Sequence, residues 1–206
     1  YTLINEGSYF QSGNFNFNFS LNRNTTQSAA LVFNDAIAGQ LAGTQETAQY
    51  RFVLSATTKM VLDTMESPAL RQDYLAWRLT GSGATNLNVY AGNPITLTPG
   101  EYTLIASNTD IQPHSYRFRM LTSDTSAVFT SGTVVSGVLS PDANVQLFRF
   151  DGSQGQRFYF DGLDTSGSYW WLVDTFGRDV SDGYTSYDRD GIVLPISGEY
   201  LLGVSY

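Results

Sequence analysis

Large apolar residues alternate with polar ones in short runs along the whole chain. Phe15, Phe17 and Phe19 are separated by Asn16 and Asn18, and Tyr116, Phe118 and Met120 by Arg117 and Arg119. Tyr50, Phe52 and Leu54 alternate with Arg51 and Val53, Phe148 and Phe150 flank Arg149, and Phe158 and Phe160 flank Tyr159. A period of two puts the large residues of each run on one face, as in a half-buried strand. Pro99-Gly100, Asp151-Gly152, Asp161-Gly162 and Ser197-Gly198 supply turns between runs. No stretch sustains a helical period; Thr64 to Tyr74 is expected to hold at most one helical turn. Evenly spaced short strands of this kind predict an all-β chain built of β-sandwiches.

The runs recur. Gly100-Glu101-Tyr102 returns as Gly198-Glu199-Tyr200, an offset of 98. The same offset carries Gly39 to Gly137, Leu41 to Leu139, Tyr50-Arg51-Phe52 to Phe148-Arg149-Phe150, and Val61-Leu62-Asp63 to Tyr159-Phe160-Asp161. Trp77 and Trp171 are expected to correspond, with the second copy four residues shorter there. A partial third copy opens the chain. Tyr1-Thr2-Leu3-Ile4 repeats Tyr102-Thr103-Leu104-Ile105, and at that offset of 101 Phe15 to Phe19 fall on Tyr116 to Met120. The expected organisation is two tandem jelly-roll-like β-sandwiches of about 100 residues, at 22–125 and 126–206, preceded by a segment, 1–21, that belongs to a neighbouring unit. The second sandwich is expected to lack its last strand.

Composition narrows the setting. Charged residues make up 15% of the 206, well under the roughly 25% of an ordinary domain. Gly, Ser, Thr and Asn take their place, as in extracellular β proteins. There is no cysteine, hence no disulfide, thiolate metal site or thiol nucleophile. The net charge of −8 argues against a nucleic-acid partner, which needs a basic face. No apolar run is long enough for a helical membrane span. The first residue, Tyr1, points to a processed chain or a piece of a longer one.

Each expected unit shares an order of features. An aromatic-x-Phe strand precedes an apolar strand ending in Asp. A Trp strand follows (Ala76-Trp77-Arg78-Leu79; Trp170-Trp171-Leu172-Val173), then Gly-Glu-Tyr leads into the penultimate strand. In the first unit the last strand reads Tyr-x-Phe-x-Met. This order resembles the bacterial pre-peptidase C-terminal domains and related jelly-roll repeats of large secreted proteins, over most of 35–121 and 133–206. The resemblance implies a secreted accessory or adhesive module without an active site. Some relatives bind calcium or polymers, but no residue pattern here carries such a site over.

Candidate chemistry is sparse. His114 is the only histidine, and no Gly-x-Ser-x-Gly elbow accompanies it. It reads as a surface loop residue, and the chain as no enzyme. Asp161, Asp164, Asp182, Asp188 and Asp190 concentrate oxygen ligands in the second unit, so calcium is a possible cofactor; their spacing matches no Asp-x-Asp-x-Asp-Gly loop, and turn-forming aspartates are the competing reading. Trp170 and Trp171 must face opposite sides of a strand. With Trp171 in the core, Trp170 would be free to form a glycan-stacking platform with Tyr169, Tyr184 or Tyr187; packing of Trp170 under a loop or against a neighbouring domain is the alternative. Asn18 and Asn24 begin glycosylation-type triplets.

The missing strand suggests assembly. A sandwich without its last strand has an open edge, which natural proteins cover. The segment with Phe15, Phe17 and Phe19 has the pattern to fill it in another copy, by β-strand addition. Such a head-to-tail contact does not close and generates filaments. Alternatively the chain is a window on a longer tandem array. Both readings make it a link in an extracellular filament, stalk or surface fibre. A carbohydrate-binding or adhesin module is the other function kept open.

Overall fold

The computed structural model describes residues 26–43, 46–65, 74–165 and 167–206. Phe15, Phe17, Phe19, Asn18, Asn24 and most of the stretch from Thr64 to Tyr74 lie outside the described residues.

The described chain is almost entirely β. The first nine strands are β1 (Thr26–Ala30), β2 (Ile37–Leu41), β3 (Thr47–Leu54), β4 (Thr58–Thr64), β5 (Leu75–Gly81), β6 (Ala84–Asn88), β7 (Pro94–Leu97), β8 (Gly100–Asn108) and β9 (His114–Thr122). A short 3-10 turn, Ser123–Thr125, precedes β10 (Ala127–Val128), β11 (Val145–Gly152), β12 (Arg157–Phe160), β13 (Tyr169–Val173), β14 (Asp179–Tyr184), β15 (Arg189–Val193) and β16 (Gly198–Ser205).

Four sheets result, ordered β1-β3-β8-β5-β6, β2-β9-β4-β7, β10-β11-β16-β13-β14 and β12-β15. The first two face each other. Tyr50 and Phe52 of β3, Leu104 of β8 and Trp77 of β5 meet Met60 and Leu62 of β4 and Phe118 of β9 in one core. The third and fourth enclose another core, with Trp170, Leu172 and Tyr200 against Ile192 and Leu194. The fold is therefore two β-sandwiches, as the alternating runs predict.

The pairing in the second repeats that in the first. β3 pairs antiparallel with β8 from Thr47↔Ser107 to Leu54↔Gly100, and β11 with β16 from Val145↔Ser205 to Gly152↔Gly198, a shift of 98 at each position. The parallel pairs Ala29↔Tyr50 and Ala127↔Phe148 keep the same shift. The tryptophan strand does not follow the expected alignment. Trp77 lies opposite Ala106, whereas Val204, 98 residues on, lies opposite Trp170. Trp170, not Trp171, takes the place of Trp77.

Trp171 points the other way, into a third apolar cluster between the two sandwiches. It joins Val145, Leu147, Val173 and Leu201 of the third sheet to Val61 of β4, with Leu121 of β9 packed alongside. Its indole N–H donates to the Gly92 carbonyl at 2.7 Å. Polar contacts border the cluster. Lys59 is buried and reaches the Glu199 carbonyl (3.1 Å) and carboxylate (3.4 Å). Asp63, fully buried, accepts from Arg119 at 2.8 Å. Burial raises the Asp63 carboxyl above the usual carboxylate range, while the guanidinium and the Asn144 and Val145 backbone amides pull it back. The four sheets thus stack in the order given above, each sharing an apolar cluster with the next.

Candidate functional site: an open groove in the second sandwich

In the first sandwich β9 sits between β2 and β4, in the registers Ile37↔Phe118 and Leu62↔Met120. Its inward side chains Tyr116, Phe118 and Met120 are buried. The Tyr116 hydroxyl meets that of Tyr50 at 2.6 Å, and Phe118 packs on Tyr50 and Trp77 with ring centroids 4.8 and 4.7 Å apart.

The second sandwich has β12 in the place of β4 and β15 in that of β7. Among the described residues no strand pairs with the other edge of β12. The consequence is visible position by position. Tyr50, Phe52, Met60, Leu62, Leu104 and Ala106 are buried, whereas their counterparts Phe148, Phe150, Phe158, Phe160, Leu202 and Val204 are all only half-buried. Leu41 is 0% exposed in β2, but Leu139 is half-buried and residues 134–139 form no strand. Val135 is 42% exposed. A β-strand of this kind needs a ladder partner, and the partner of β2 is β9.

Two backbone positions of the groove match its occupied equivalent. Asn34 adopts a left-handed backbone (φ 66°), its N–H donating to the Met120 carbonyl at 2.9 Å. Gly132, 98 residues on, has φ 84°. A β-carbon on Gly39 would fall on the Tyr116 hydroxyl, so glycine lets that ring pass; Gly137 stands at the corresponding place. At the Gly132 end the groove widens into a cavity of about 280 Å³ lined by Phe129, Phe150 and Phe158, with Arg149, Asp151 and Glu199 at its polar side. The three phenyl rings form a chain, with centroids 5.6 and 5.3 Å apart. Phe160 lies against Trp170 at 4.1 Å with planes 10° apart. The groove is apolar, aromatic and bounded by a strand edge that no described strand pairs, which suits a strand carrying large side chains at alternate positions.

The expected ligand residues fall elsewhere. Trp170 is 1% exposed in the second core, so of the two readings of this residue it is the packed one that holds and not the exposed platform. The reason is that both faces of its sheet are covered, one by β12 and β15 and the other by the first sandwich. Tyr169 and Tyr184 are cross-strand partners with rings 5.7 Å apart, and Tyr187 lies in the following turn. The Tyr169 hydroxyl donates to Asp182, which pushes the phenol up to about 12. Asp188 accepts from Tyr159, also pushed up to about 12, and from the Gly162 N–H at 3.0 Å. Asp164 and Thr185 are 3.3 Å apart, and Asp190 accepts from the Gly191 N–H. Asp161 is exposed at the end of β12. The five aspartates form no ligand cluster among the described residues; Asp164, Asp182, Asp188 and Asp190 take part in local hydrogen bonds, Asp182 and Asp190 from within β14 and β15. His114 opens β9 rather than lying in a loop. Its ring stacks on Tyr74 at 4.6 Å and meets Asp110 at 3.0 Å. No helix among the described residues is long and apolar enough to cross a membrane.

No protein-family model and no curated protein matches the chain. Among solved structures it is similar to the pre-peptidase C-terminal domain of a Bacillus anthracis collagenase, with a TM-score of 0.37 and 16% identity over 49% of this chain and 99% of that one. It is also similar to PliG of Aeromonas hydrophila, a periplasmic inhibitor of g-type lysozyme, with a TM-score of 0.33 and 13% identity over 48% of this chain and 99% of that one.

Proposed function

We propose that the chain is a non-catalytic structural module of an extracellular filament, stalk or surface fibre. Its two sandwiches are copies of one unit, and the second is completed by an added β-strand laid along β12. The observation that carries this reading is the contrast between equivalent positions: six core residues buried around β9 in the first sandwich, and six half-open counterparts around an unpaired edge in the second. An incoming strand that buries three large side chains gains roughly 1.5–3 kcal/mol from each, besides main-chain bonds. The low charge and the lack of cysteine suit a large extracellular assembly. A glycan-binding module draws no comparable support, because Trp170 is consumed by the core.

The test uses a synthetic peptide with the sequence of β9, His114 to Thr122, which already fits the equivalent groove. Added to the whole protein, it is expected to bind, to change the emission of Trp170, and to protect the amides of 157–160 from exchange. A scrambled peptide should do none of these. If the β9 peptide leaves both emission and exchange unchanged, the groove does not take a strand and the reading fails.

A further inference from the structure

We infer that the strand completing the second sandwich is the segment around Phe15 to Phe19 of a second copy of this chain, seated with Phe17 beside Val135 and Phe19 beside Phe160. The inference rests on the strand-completion reading and adds its source, direction and register.

The register follows from two offsets. Residues 15–19 carry the pattern of 116–120 at a shift of 101, and the groove repeats the first sandwich at a shift of 98. Carrying over Ile37↔Phe118, Gly39↔Tyr116 and Leu62↔Met120 sets Phe17 opposite Val135, Phe15 opposite Gly137 and Phe19 opposite Phe160. Phe15 then comes to Gly137, where the Gln146 side chain holds the space that Tyr116 takes at Gly39 and swings aside to admit the ring. Phe19 enters the aromatic end of the groove. Asp63↔Arg119 becomes Asp161↔Asn18. Asp63 is fully buried and has a cation opposite, whereas Asp161 is exposed. A side-chain amide is a sufficient donor there, and Asn18 brings no unpaired charge into the contact.

Chain length decides between the same copy and another. Residues 20–25 link Phe19 to Thr26, the first residue of β1. Six linking residues reach at most about 25 Å when fully extended. β1 belongs to the first sheet of the stack and the groove to the fourth, and packed sheets are about 10 Å apart, so the span is about 30 Å before any detour around the sheets. The segment falls short of its own groove. Donation to another copy is head-to-tail and leaves a free groove at one end and a free strand at the other, so chains of molecules grow.

The absence of native cysteine allows a clean test. Full-length protein carrying Phe17→Cys and Val135→Cys is oxidised and run on a non-reducing denaturing gel. A ladder of covalent dimers, trimers and longer species is expected, at least tenfold stronger than for Asn16→Cys with Val135→Cys, whose side chain would face away. In the otherwise native chain, Phe17→Asp should sediment as a monomer with unchanged circular dichroism. Monomers only, an internal disulfide, or assembly that survives Phe17→Asp each overturn the inference. If the β9 peptide still binds while no ladder forms, strand completion stands and its source lies elsewhere, such as a strand beyond Tyr206 in a longer chain. If neither occurs, both readings fall.

Discussion

Trp171 of the second sandwich donates its indole N–H to the carbonyl of Gly92 in the first, at 2.7 Å. The bond is buried and lies beside an apolar cluster drawn from both sandwiches. We expect the two to melt in one cooperative transition. Trp171→Ala removes the ring and leaves the Gly92 carbonyl without this donor, at a cost of about 3–5 kcal/mol. Calorimetry should then resolve two transitions. A single transition at the original temperature would show that the junction does not couple the sandwiches.

The ion pair at the same junction gives a pH dependence. Burial raises the Asp63 carboxyl, so the folded state holds its proton more tightly than the unfolded one. The stabilising contribution is therefore full below the unfolded value of about 4 and is lost as pH rises through the raised folded value. Arg119→Leu leaves the buried carboxylate uncompensated and raises it further. The expected loss is about 3–5 kcal/mol at pH 7, shrinking as pH falls towards 4. Urea midpoints at the two pH values check this; an equal loss at both would rule out Asp63 as the cause.

Two glycines at equivalent places should differ in cost. Gly39→Ala drives a methyl group into the Tyr116 hydroxyl and is expected to destabilise by about 1–3 kcal/mol. Gly137→Ala meets the end of the Gln146 side chain, which can swing aside, so the loss should stay within about 0.5 kcal/mol. Assembly, read by sedimentation, should nonetheless weaken, because the methyl group obstructs an incoming aromatic ring. A Gly137→Ala protein that assembles as well as the native one would contradict the placement of Phe15.

Much of this architecture is legible in the sequence, because the pairing of β3 with β8 and of β11 with β16 preserves the shift of 98 that the Gly-Glu-Tyr motifs reveal. The tryptophans mislead for a physical reason. Alternation identifies a strand with one dry face, and Ala76-Trp77-Arg78-Leu79 obeys it. Trp170-Trp171-Leu172-Val173 is apolar throughout, as in a strand covered on both faces, and either ring can be assigned to the core. The same blindness hides the junction. Leu147, Trp171 and Leu201 line it, while the matching face of the first sandwich carries Gln49, Arg78 and Thr103. Local pattern cannot say which partner covers a second face. Nor does it pick out Tyr159 and Tyr169 as the partners of Asp188 and Asp182.

Trp170→Ala separates a core role from a ligand role. The side chain is fully enclosed and stacks on Phe160, so truncation should cost about 3–5 kcal/mol and unfold the second sandwich first. A fully stable Trp170→Ala protein with selectively lost glycan binding would reverse that assignment.

The central claim is that the groove beside β12 is open in the single molecule and filled in the assembly. Amide hydrogen exchange of the intact chain, followed from dilute to concentrated protein, tests it most directly. Protection at 157–160 and 134–139 should be low in dilute solution, rise steeply with concentration, and fail to rise in Phe17→Asp. Protection that is already complete at the lowest concentration, or absent at the highest, would contradict it.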